Sequence, residues 1–325
     1  MKKIISIILA IVTLVASVSL ASVAYADNSK YYIQRQQYNS HNISGGFYGK
    51  NAYFINNHTE KLYIKKSLNE KPKLVRKGIC AGGTHTIYKN YVYFIGEDGV
   101  LKKCSINGKV KKSIVSGIGI NNYIVTNNKI VFVAEDPFGD IGVSGLYVSD
   151  LNGKKLKRIT KHLTYSLYSW GKNVYYYDFD SNCFKRYSFE KNKVYKVKFN
   201  KKIYSPEIIA MEGASIYYYK ENGNLITFYK ANTKTKKVTK ITSKKLYGNL
   251  SFAIGNGTIY YACNDDYYTY YYKFVKSKNK FKLLKTIDAE KVCFNDMGFY
   301  RNKLITVKYR NNSPTFKYYV IDTIS

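Results

Sequence analysis

The chain has 325 residues, and its 53 Lys and Arg outnumber its 21 Asp and Glu, which gives a formal net charge of +32. Only six of the basic residues are Arg, the side chain suited to bidentate recognition of phosphates and bases, so the composition argues against specific nucleic-acid recognition. The charge instead predicts a general attraction to polyanions, and a coding bias toward Lys, Asn, Tyr and Ile is the alternative explanation.

Residues 1–26 are predicted to be an export signal. Lys2 and Lys3 give a charged start, residues 4–20 are apolar, and Ala24-Tyr25-Ala26 is a small-x-small cleavage site. An uncleaved membrane anchor is the alternative, because the apolar run is almost long enough to span a bilayer. Cleavage would leave residues 27–325 as a mature protein that is secreted, extracellular or associated with the cell wall.

After the signal, one strand-like pattern recurs through the chain at intervals of about 42 residues. The same slot of each run is filled by an aromatic or aliphatic residue: Tyr53, Tyr93, Phe132, Tyr175, Tyr217, Tyr260 and Ile305. A period in the low forties with several short strands per unit is typical of a β-propeller blade. The sequence therefore predicts an all-β, seven-bladed β-propeller in a single domain, residues 27–325, with six blades as the alternative.

The third unit shows the predicted strand order most clearly. It has strands over 121–126, 129–134, 146–149 and 155–159, and the turns between them include Asn127-Asn128 and Asn152-Gly153. Asn-Gly is a strong hairpin signal, because both central residues of a type I′ turn need positive φ. No sustained helical periodicity follows the signal, so the expected helix content is close to nil.

The seventh unit is one strand short, with predicted strands over 291–294, 303–308 and 316–322. The mature N-terminus carries a strand-like run over 31–37 that belongs to no unit. Because a propeller must close to hide its sheet edges, we expect this run to be the outermost strand of the last blade. Deletion of residues 27–39 should then strongly destabilise the fold.

Several of these segments together resemble a known family. The residues that carry the resemblance are Leu146-Tyr147, Asn152-Gly153, Ile159-Thr160, Val174-Tyr175-Tyr176-Tyr177, Ile216-Tyr217-Tyr218 and Ile259-Tyr260-Tyr261. They are similar to a bacterial family of unknown function whose repeats resemble the propeller of low-density-lipoprotein-receptor-related proteins, although the YWTD tetrapeptide of those receptors is absent. The resemblance implies export, a surface location and binding, and it supplies no catalytic residues.

Charges sort by turn in the predicted propeller. Acidic residues concentrate in the turns between second and third strands, and lysines concentrate beside the turns between third and fourth strands, namely Lys109, Lys111, Lys112, Lys154, Lys155, Lys234, Lys236, Lys237, Lys276, Lys278 and Lys280. The Lys-rich face is predicted to lie against an anionic cell-wall polymer. The alternative is that these are ordinary solvated hairpin turns, which favour Asp, Asn and Lys.

Propellers bind ligands where the innermost strands begin, at the mouth of the central channel. The polar residues near those starts are Asn42, His85, Asn122, Tyr165, Glu207 and Asn249. They are the predicted ligand-binding residues for a protein, a peptide or a glycan. The alternative is that each satisfies backbone groups at the end of a strand.

Motifs for catalysis and metal binding are weak. The run from Asp178 to Asn182 resembles the start of a calcium loop but lacks the Gly and Glu that such a loop needs, so a hairpin turn is predicted. The four His and five Cys show no metal-ligand spacing, and the Cys are expected to be small buried residues within strands. No metal or cofactor is predicted.

The predicted function is a secreted or cell-surface binding module without catalysis. A glycan- or lactone-active hydrolase is the first alternative, with Glu207 and Asp296 as carboxylates that nothing in the sequence pairs. Adhesion to the cell wall through the Lys-rich face is the second. Trp170 is expected to cap a sheet end, with stacking on a sugar as its alternative role.

Overall fold

The computed structural model describes residues 43–48, 51–56, 61–66, 70–78, 85–96, 98–107, 111–115, 119–135, 144–161, 164, 166–289, 297–300, 303–308 and 317–323. Within these ranges the strands form seven antiparallel sheets, six of four strands and one of three. In each sheet the order of the strands in space is their order along the chain. The prediction of an all-β protein is confirmed.

Sheets 1 to 4 are named in chain order and occupy the first part of the molecule. Their strands are β1 (Ile43–Tyr48), β2 (Asn51–Asn56), β3 (Lys61–Lys65) and β4 (Lys73–Lys77); β5 (His85–Tyr88), β6 (Tyr91–Ile95), β7 (Leu101–Ser105) and β8 (Lys111–Val115); β9 (Gly119–Thr126), β10 (Lys129–Glu135), β11 (Gly145–Asp150) and β12 (Lys157–Thr160); and β13 (Leu167–Trp170), β14 (Asn173–Asp178), β15 (Cys183–Ser188) and β16 (Lys193–Lys196).

Sheets 5 to 7 complete the described chain. Their strands are β17 (Glu207–Glu212), β18 (Ser215–Asn222), β19 (Leu225–Asn232) and β20 (Val238–Lys245); β21 (Asn249–Gly255), β22 (Thr258–Asn264), β23 (Tyr268–Val275) and β24 (Lys280–Asp288); and β25 (Gly298–Tyr300), β26 (Lys303–Lys308) and β27 (Lys317–Thr323). Between β23 and β24 lies a single 3-10 turn, Lys276–Lys278.

The repeated slot of the sequence occupies one structural position. All seven slot residues lie on the second strand of a sheet, and their partners on the first strand are, in order, Gly46, Thr86, Tyr123, Tyr168, Ala210, Ala253 and Gly298. The period read from the sequence is therefore the period of the fold, and each unit builds one sheet.

The hydrophobic core lies between the sheets. Six clusters of buried side chains each join two sheets that follow one another in the chain, from the pair of sheets 1 and 2 to the pair of sheets 6 and 7. In sheet 4 the four central residues of the second strand are buried on both faces. Val174 and Tyr176 pack toward sheet 3, whereas Tyr175 and Tyr177 pack toward sheet 5, since neighbouring side chains of a strand point to opposite faces.

Buried tyrosines fasten neighbouring sheets through their hydroxyls. The hydroxyl of Tyr123 donates a hydrogen bond to the Tyr93 carbonyl in sheet 2 at 2.7 Å, and the hydroxyl of Tyr271 reaches Thr306 Oγ1 in sheet 7 at 3.2 Å. Burial raises the pKa of the phenols at the centre of the sheets well above 10.0, as at Tyr93, Tyr123, Tyr176, Tyr218 and Tyr260.

The turns agree with the sequence prediction in most sheets. Asn127 and Asn128 both have positive φ (49° and 58°), as a type I′ hairpin requires. The prediction of the same turn at Asn152-Gly153 is wrong, because of these two only Gly153 has positive φ and the connection is a longer loop. Asp150 holds that loop by accepting hydrogen bonds from the Asn152 and Lys154 amides.

Two predictions about the chain termini fall outside the described residues: the signal, residues 1–26, and the closing strand over 31–37. The predicted strand over 291–294 also lies outside the described residues, and in the seventh unit β25, Gly298–Tyr300, pairs with β26. No helix in the described ranges is long and apolar enough to cross a membrane.

Candidate ligand-binding face

In every sheet, the segments that vary most between units lie at the same end of the strands. In an antiparallel sheet, the first strand begins, the second ends, the third begins and the fourth ends on this side. We call it the link side, because the segments that join one sheet to the next also cross it. First strands of consecutive sheets contact one another from β1 to β21, so their link-side ends are neighbours.

The structure describes four of the six predicted ligand-binding residues. His85, Glu207 and Asn249 are the first residues of β5, β17 and β21, and therefore lie at the link side. Asn122 lies further inside β9, opposite Val133. Asn42 and Tyr165 lie outside the described residues. A ligand-binding role for the set remains a prediction.

The four residues differ in how far they are buried. Glu207 and Asn249 are exposed, Asn122 is half-buried, and His85 is buried. Glu207 and Asn249 can therefore meet a ligand at the link side, whereas His85 belongs to the interior as the sheets stand.

Asp178 is committed to its own turn. Its carboxylate is fully buried, accepts hydrogen bonds from the Ser181 amide and hydroxyl at 2.8 Å each, and pairs with Lys185 at 2.6 Å. Burial alone would raise the pKa of the Asp178 carboxyl, but the bonds from Lys185 and Ser181 outweigh it and hold the pKa below 3.8. The segment that resembles a calcium loop is the hairpin turn that the sequence predicts.

Asp265 holds a turn that displays aromatic rings. Its carboxylate accepts hydrogen bonds from the Tyr267 and Tyr268 amides at 2.9 and 2.7 Å and from the Tyr270 hydroxyl at 2.8 Å. The amide of Tyr268, the hydroxyl of Tyr270 and the amide of Tyr267 lower the pKa of this carboxyl. The turn between β22 and β23 is thereby fixed with two tyrosines turned outward.

Most of the exposed large apolar side chains of the described residues lie on the link side of sheets 4 to 6. They are Phe179 (40% exposed), Tyr204 (50%), Leu225 (37%), Tyr247 (63%), Tyr267 (74%) and Tyr268 (49%). Exposed aromatic rings gathered at one edge of a fold are typical of a recognition surface, since their hydration is unfavourable in the absence of a partner. We call this set the aromatic face.

Tyr204 is held in place from both sides by one buried hydroxyl. The Tyr177 hydroxyl donates to the Ile203 carbonyl at 3.2 Å and accepts from the Ser205 amide at 3.0 Å, so it brackets Tyr204. Ser205 has φ of 40°, a conformation unfavourable for a residue other than glycine and unusual before a proline. A strained backbone held by a buried side chain indicates that the display of Tyr204 is built into the fold.

Sequence reasoning missed the aromatic face, although a signal for it was present. Matching segments lie in the link after β16, Lys201-Lys202-Ile203-Tyr204, and across the end of β20, Lys244-Lys245-Leu246-Tyr247. In both, the third residue is buried and the Tyr is exposed. A repeat confined to two adjacent links is visible in the sequence once the links, and not only the strands, are aligned.

Exposed lysines occur on both sides of the fold. Lysines of the third-to-fourth turns are exposed, as at Lys154, Lys234 and Lys278. Lys245, the last residue of β20, is exposed at the link side. Lys201 and Lys202 are exposed in the link between sheets 4 and 5, directly after Asn200, whose amide donates to the Lys236 carbonyl in the turn between β19 and β20 on the opposite side. Binding of the Lys-rich face to an anionic polymer remains a prediction.

Trp170 and the cysteines follow their structural interpretations. Trp170 ends β13 and packs against the buried cluster shared by sheets 4 and 5, with Lys234 Nζ at 4.9 Å from its ring centre. Cys104 and Cys183 are buried in strands, and Cys263 is half-buried. Within the described ranges, no three His, Cys, Asp or Glu side chains are grouped so as to hold a metal ion.

Comparison with solved structures defines the class of fold. An oligogalacturonate lyase in complex with manganese matches with a TM-score of 0.60 at 12% identity, over 85% of this chain and 86% of that one. An oligogalacturonate lyase from Vibrio parahaemolyticus matches with a TM-score of 0.58 at 11% identity, over 90% of each chain, and the computationally designed Ika8 protein gives 0.56 at 12%, over 89% of this chain and 98% of that one. The fold is of the β-propeller type.

At these identities the similarity extends to the fold alone. No family model and no curated protein matches the sequence. The resemblance to receptor-related propellers is therefore not confirmed. These neighbours include a lyase and a computationally designed protein, so the class of function has to be argued from the residues.

Proposed function

We propose that this protein is an exported, non-catalytic binding module that recognises a glycan through its aromatic face. The observation that carries the proposal is the outward display of Tyr204, Tyr247 and Tyr267, each at least half exposed on the link side. Flat aromatic rings stack on the C–H faces of sugars, and a fixed ring loses little conformational entropy when it binds.

Two acidic groups of the link side, Asp178 and Asp265, are held in structural contacts, which supports binding over catalysis at these positions. A glycosidase needs two carboxylates that flank the bond to be cleaved. Asp178 is buried against Lys185, and Asp265 is occupied by the amides of its own turn. Glu207 is the exposed carboxylate at the start of an inner strand, and a second carboxylate facing it is what the hydrolase alternative requires.

The proposal includes a closed ring of seven blades. Six shared clusters already join sheets 1 to 7 in sequence, and the last sheet has three described strands where the others have four. A strand from residues 31–37 would supply the fourth and join the chain ends. Deletion of residues 27–39 should lower the melting temperature strongly, and a variant that melts like the parent would refute this closure.

Export is tested separately from binding. If residues 1–26 are a signal, the protein recovered outside the cell should begin at Asp27. N-terminal sequencing of that material checks the cleavage site, and recovery of the intact N-terminus in the membrane fraction would favour the anchor alternative.

Binding is tested with the purified full chain and a panel of insoluble glycans and isolated bacterial cell walls. Depletion of the protein from solution should be reduced by Tyr204→Ala and Tyr247→Ala and unaffected by Leu156→Ala, an exposed apolar residue on the loop between β11 and β12. An assay for new reducing ends runs beside it. Release of reducing ends by the parent protein would overturn the proposal in favour of the hydrolase alternative.

A further inference from the structure

We infer that the glycan is an acidic polysaccharide, gripped at two consecutive sites by the Lys-Lys-x-Tyr segments 201–204 and 244–247. The inference rests on the proposed function and adds the chemical class of the ligand. Segment 201–204 lies in the link between sheets 4 and 5. Segment 244–247 covers the last two residues of β20 and the start of the link between sheets 5 and 6, so one polymer can cross both.

The two segments share the local structure around the Tyr, although Lys244 and Lys245 end β20 whereas Lys201 and Lys202 lie in no strand. Ile203 and Leu246 are buried and anchor the links, which leaves Tyr204 and Tyr247 outside at 50% and 63% exposure. The residue after each Tyr has positive φ, 40° at Ser205 and 84° at Gly248, so the chain turns inward toward the next first strand directly after the ring. The repeat therefore extends beyond composition to the way in which the ring is presented.

The lysines of these segments are available to a ligand. Lys201, Lys202 and Lys245 are exposed and Lys244 is half-buried, and no ion pair among the described residues involves any of them. A lysine is a flexible point charge and suits carboxylates whose positions vary along a polymer, whereas bidentate recognition of a fixed group favours Arg. Each segment thus offers two positive charges beside one stacking ring.

Neighbouring groups complete both sites. Lys220 Nζ lies 5.8 Å from the centre of the Tyr204 ring and adds a further positive charge there. Glu207 begins β17 and Asn249 begins β21, so each site has a polar side chain two or three residues after its Tyr. These side chains can hydrogen-bond sugar hydroxyls. Two of the residues predicted at the channel mouth therefore belong to the same sites as the tyrosines.

The repetition points to a polymer. A single small ligand needs one convergent pocket, whereas two matching sites on adjacent sheets fit a ligand whose own units repeat. An acidic polysaccharide supplies both features that the segments require, because its rings stack on tyrosine and its carboxylates pair with lysine. An acidic peptide supplies the charges without the sugar rings.

Four soluble probes separate these chemistries: sodium polygalacturonate, its methyl-esterified form, neutral dextran and poly-L-glutamate. Affinity electrophoresis or calorimetry with the full chain should show binding to polygalacturonate that weakens with added salt, and much weaker binding to the other three. Loss of both lysines of one segment, in Lys201→Gln/Lys202→Gln or Lys244→Gln/Lys245→Gln, should weaken binding by about tenfold. Tyr204→Ala and Tyr247→Ala should each give a loss of roughly the same size.

The matched control removes the same charge elsewhere. Lys276→Gln/Lys278→Gln alters two exposed lysines of the turn between β23 and β24 and should leave polygalacturonate binding within about twofold of the parent. Thermal melts of all variants establish that the altered links remain folded.

Four outcomes would overturn the inference. Equal losses of polygalacturonate affinity in the control pair and the segment pairs would show that the attraction depends on net charge alone. Stronger binding to poly-L-glutamate than to polygalacturonate would assign the sites to an acidic peptide. Equal binding to dextran would leave the proposed glycan-binding function standing while the acidic class fails, and cleavage of any probe would remove the proposed function itself.

Discussion

The second strands and the links of this fold differ in how they use the same kind of residue. In the second strands, tyrosines such as Tyr176 and Tyr218 are buried, in register from sheet to sheet, and fixed between two neighbours. In the links, Tyr204 and Tyr247 are anchored by a buried aliphatic neighbour and turned outward. The difference teaches that side-chain type alone does not separate core from surface in a Tyr-rich propeller, whereas position in the repeat does.

The largest expected effect comes from a substitution in the buried interior. Phe228 on β19 is fully buried, and its ring centroid lies 5.2 Å from that of Phe252 and 6.0 Å from that of Phe281. Phe228→Ala should lower the free energy of unfolding by about 3–5 kcal/mol, because it leaves a cavity between sheets 5 and 6. Denaturant unfolding measures the loss, and a change below about 1 kcal/mol would contradict the packing described.

The next effect tests a charge that supports the link side without facing a ligand. Asp178→Asn should cost about 1.5–3 kcal/mol near neutral pH, since Lys185 loses its buried partner. The folded-state pKa lies below 3.8, so the stabilisation is complete above that pH and disappears as the pH falls through the folded-state pKa. Melting curves of parent and variant should therefore converge in strong acid, and a constant gap at all pH values would exclude this origin.

A smaller effect concerns the contact between sheets 2 and 3. Gly153 has φ of 78°, and a Cβ there would overlap the Ile114 carbonyl, whereas at Gly223, with φ of 56°, a Cβ would meet no atom. Gly223→Ala should cost about 1–2 kcal/mol from the backbone conformation alone. Gly153→Ala should cost about 1–3 kcal/mol more. Equal melting temperatures for the two variants would show that the close approach is absent in solution.

The smallest expected effect lies where interior and link meet. Tyr177→Phe removes both hydrogen bonds that bracket Tyr204 and should lower stability by about 1–2 kcal/mol. Glycan binding should weaken as well, because Tyr204 and Ser205 lose their support. Tyr176→Phe is the matched control, since the Tyr176 hydroxyl is buried with no hydrogen-bond partner among the described residues. Unchanged glycan binding by Tyr177→Phe would show that the link that carries Tyr204 works independently of the buried interior.

The sequence predicted the repeating part of this molecule well and the variable part poorly. The slot from Tyr53 to Ile305 is legible because every unit must bury the same strand between two neighbours. Tyr204 and Tyr247 are also tyrosines, but they lie outside the periodic strands. Their exposure therefore follows only from the paths of the links. Likewise, Asn152-Gly153 looked like a two-residue hairpin because the cap from Asp150 lies outside the dipeptide.

The dense packing of phenols between the sheets also sets an alkaline limit for the protein. In unfolded chain these groups lose their protons near pH 10.0, whereas burial raises the pKa of Tyr217 to about 12 and those of Tyr93 and Tyr260 further. Their contribution to the free energy of unfolding is fully present below pH 10 and is lost as the pH rises through the folded-state pKa values, because phenolate forms more easily once the sheets separate. Ultraviolet absorbance should then show surface phenolates first and the remainder in one cooperative step, so that ionisation of the interior itself reports the separation of the sheets.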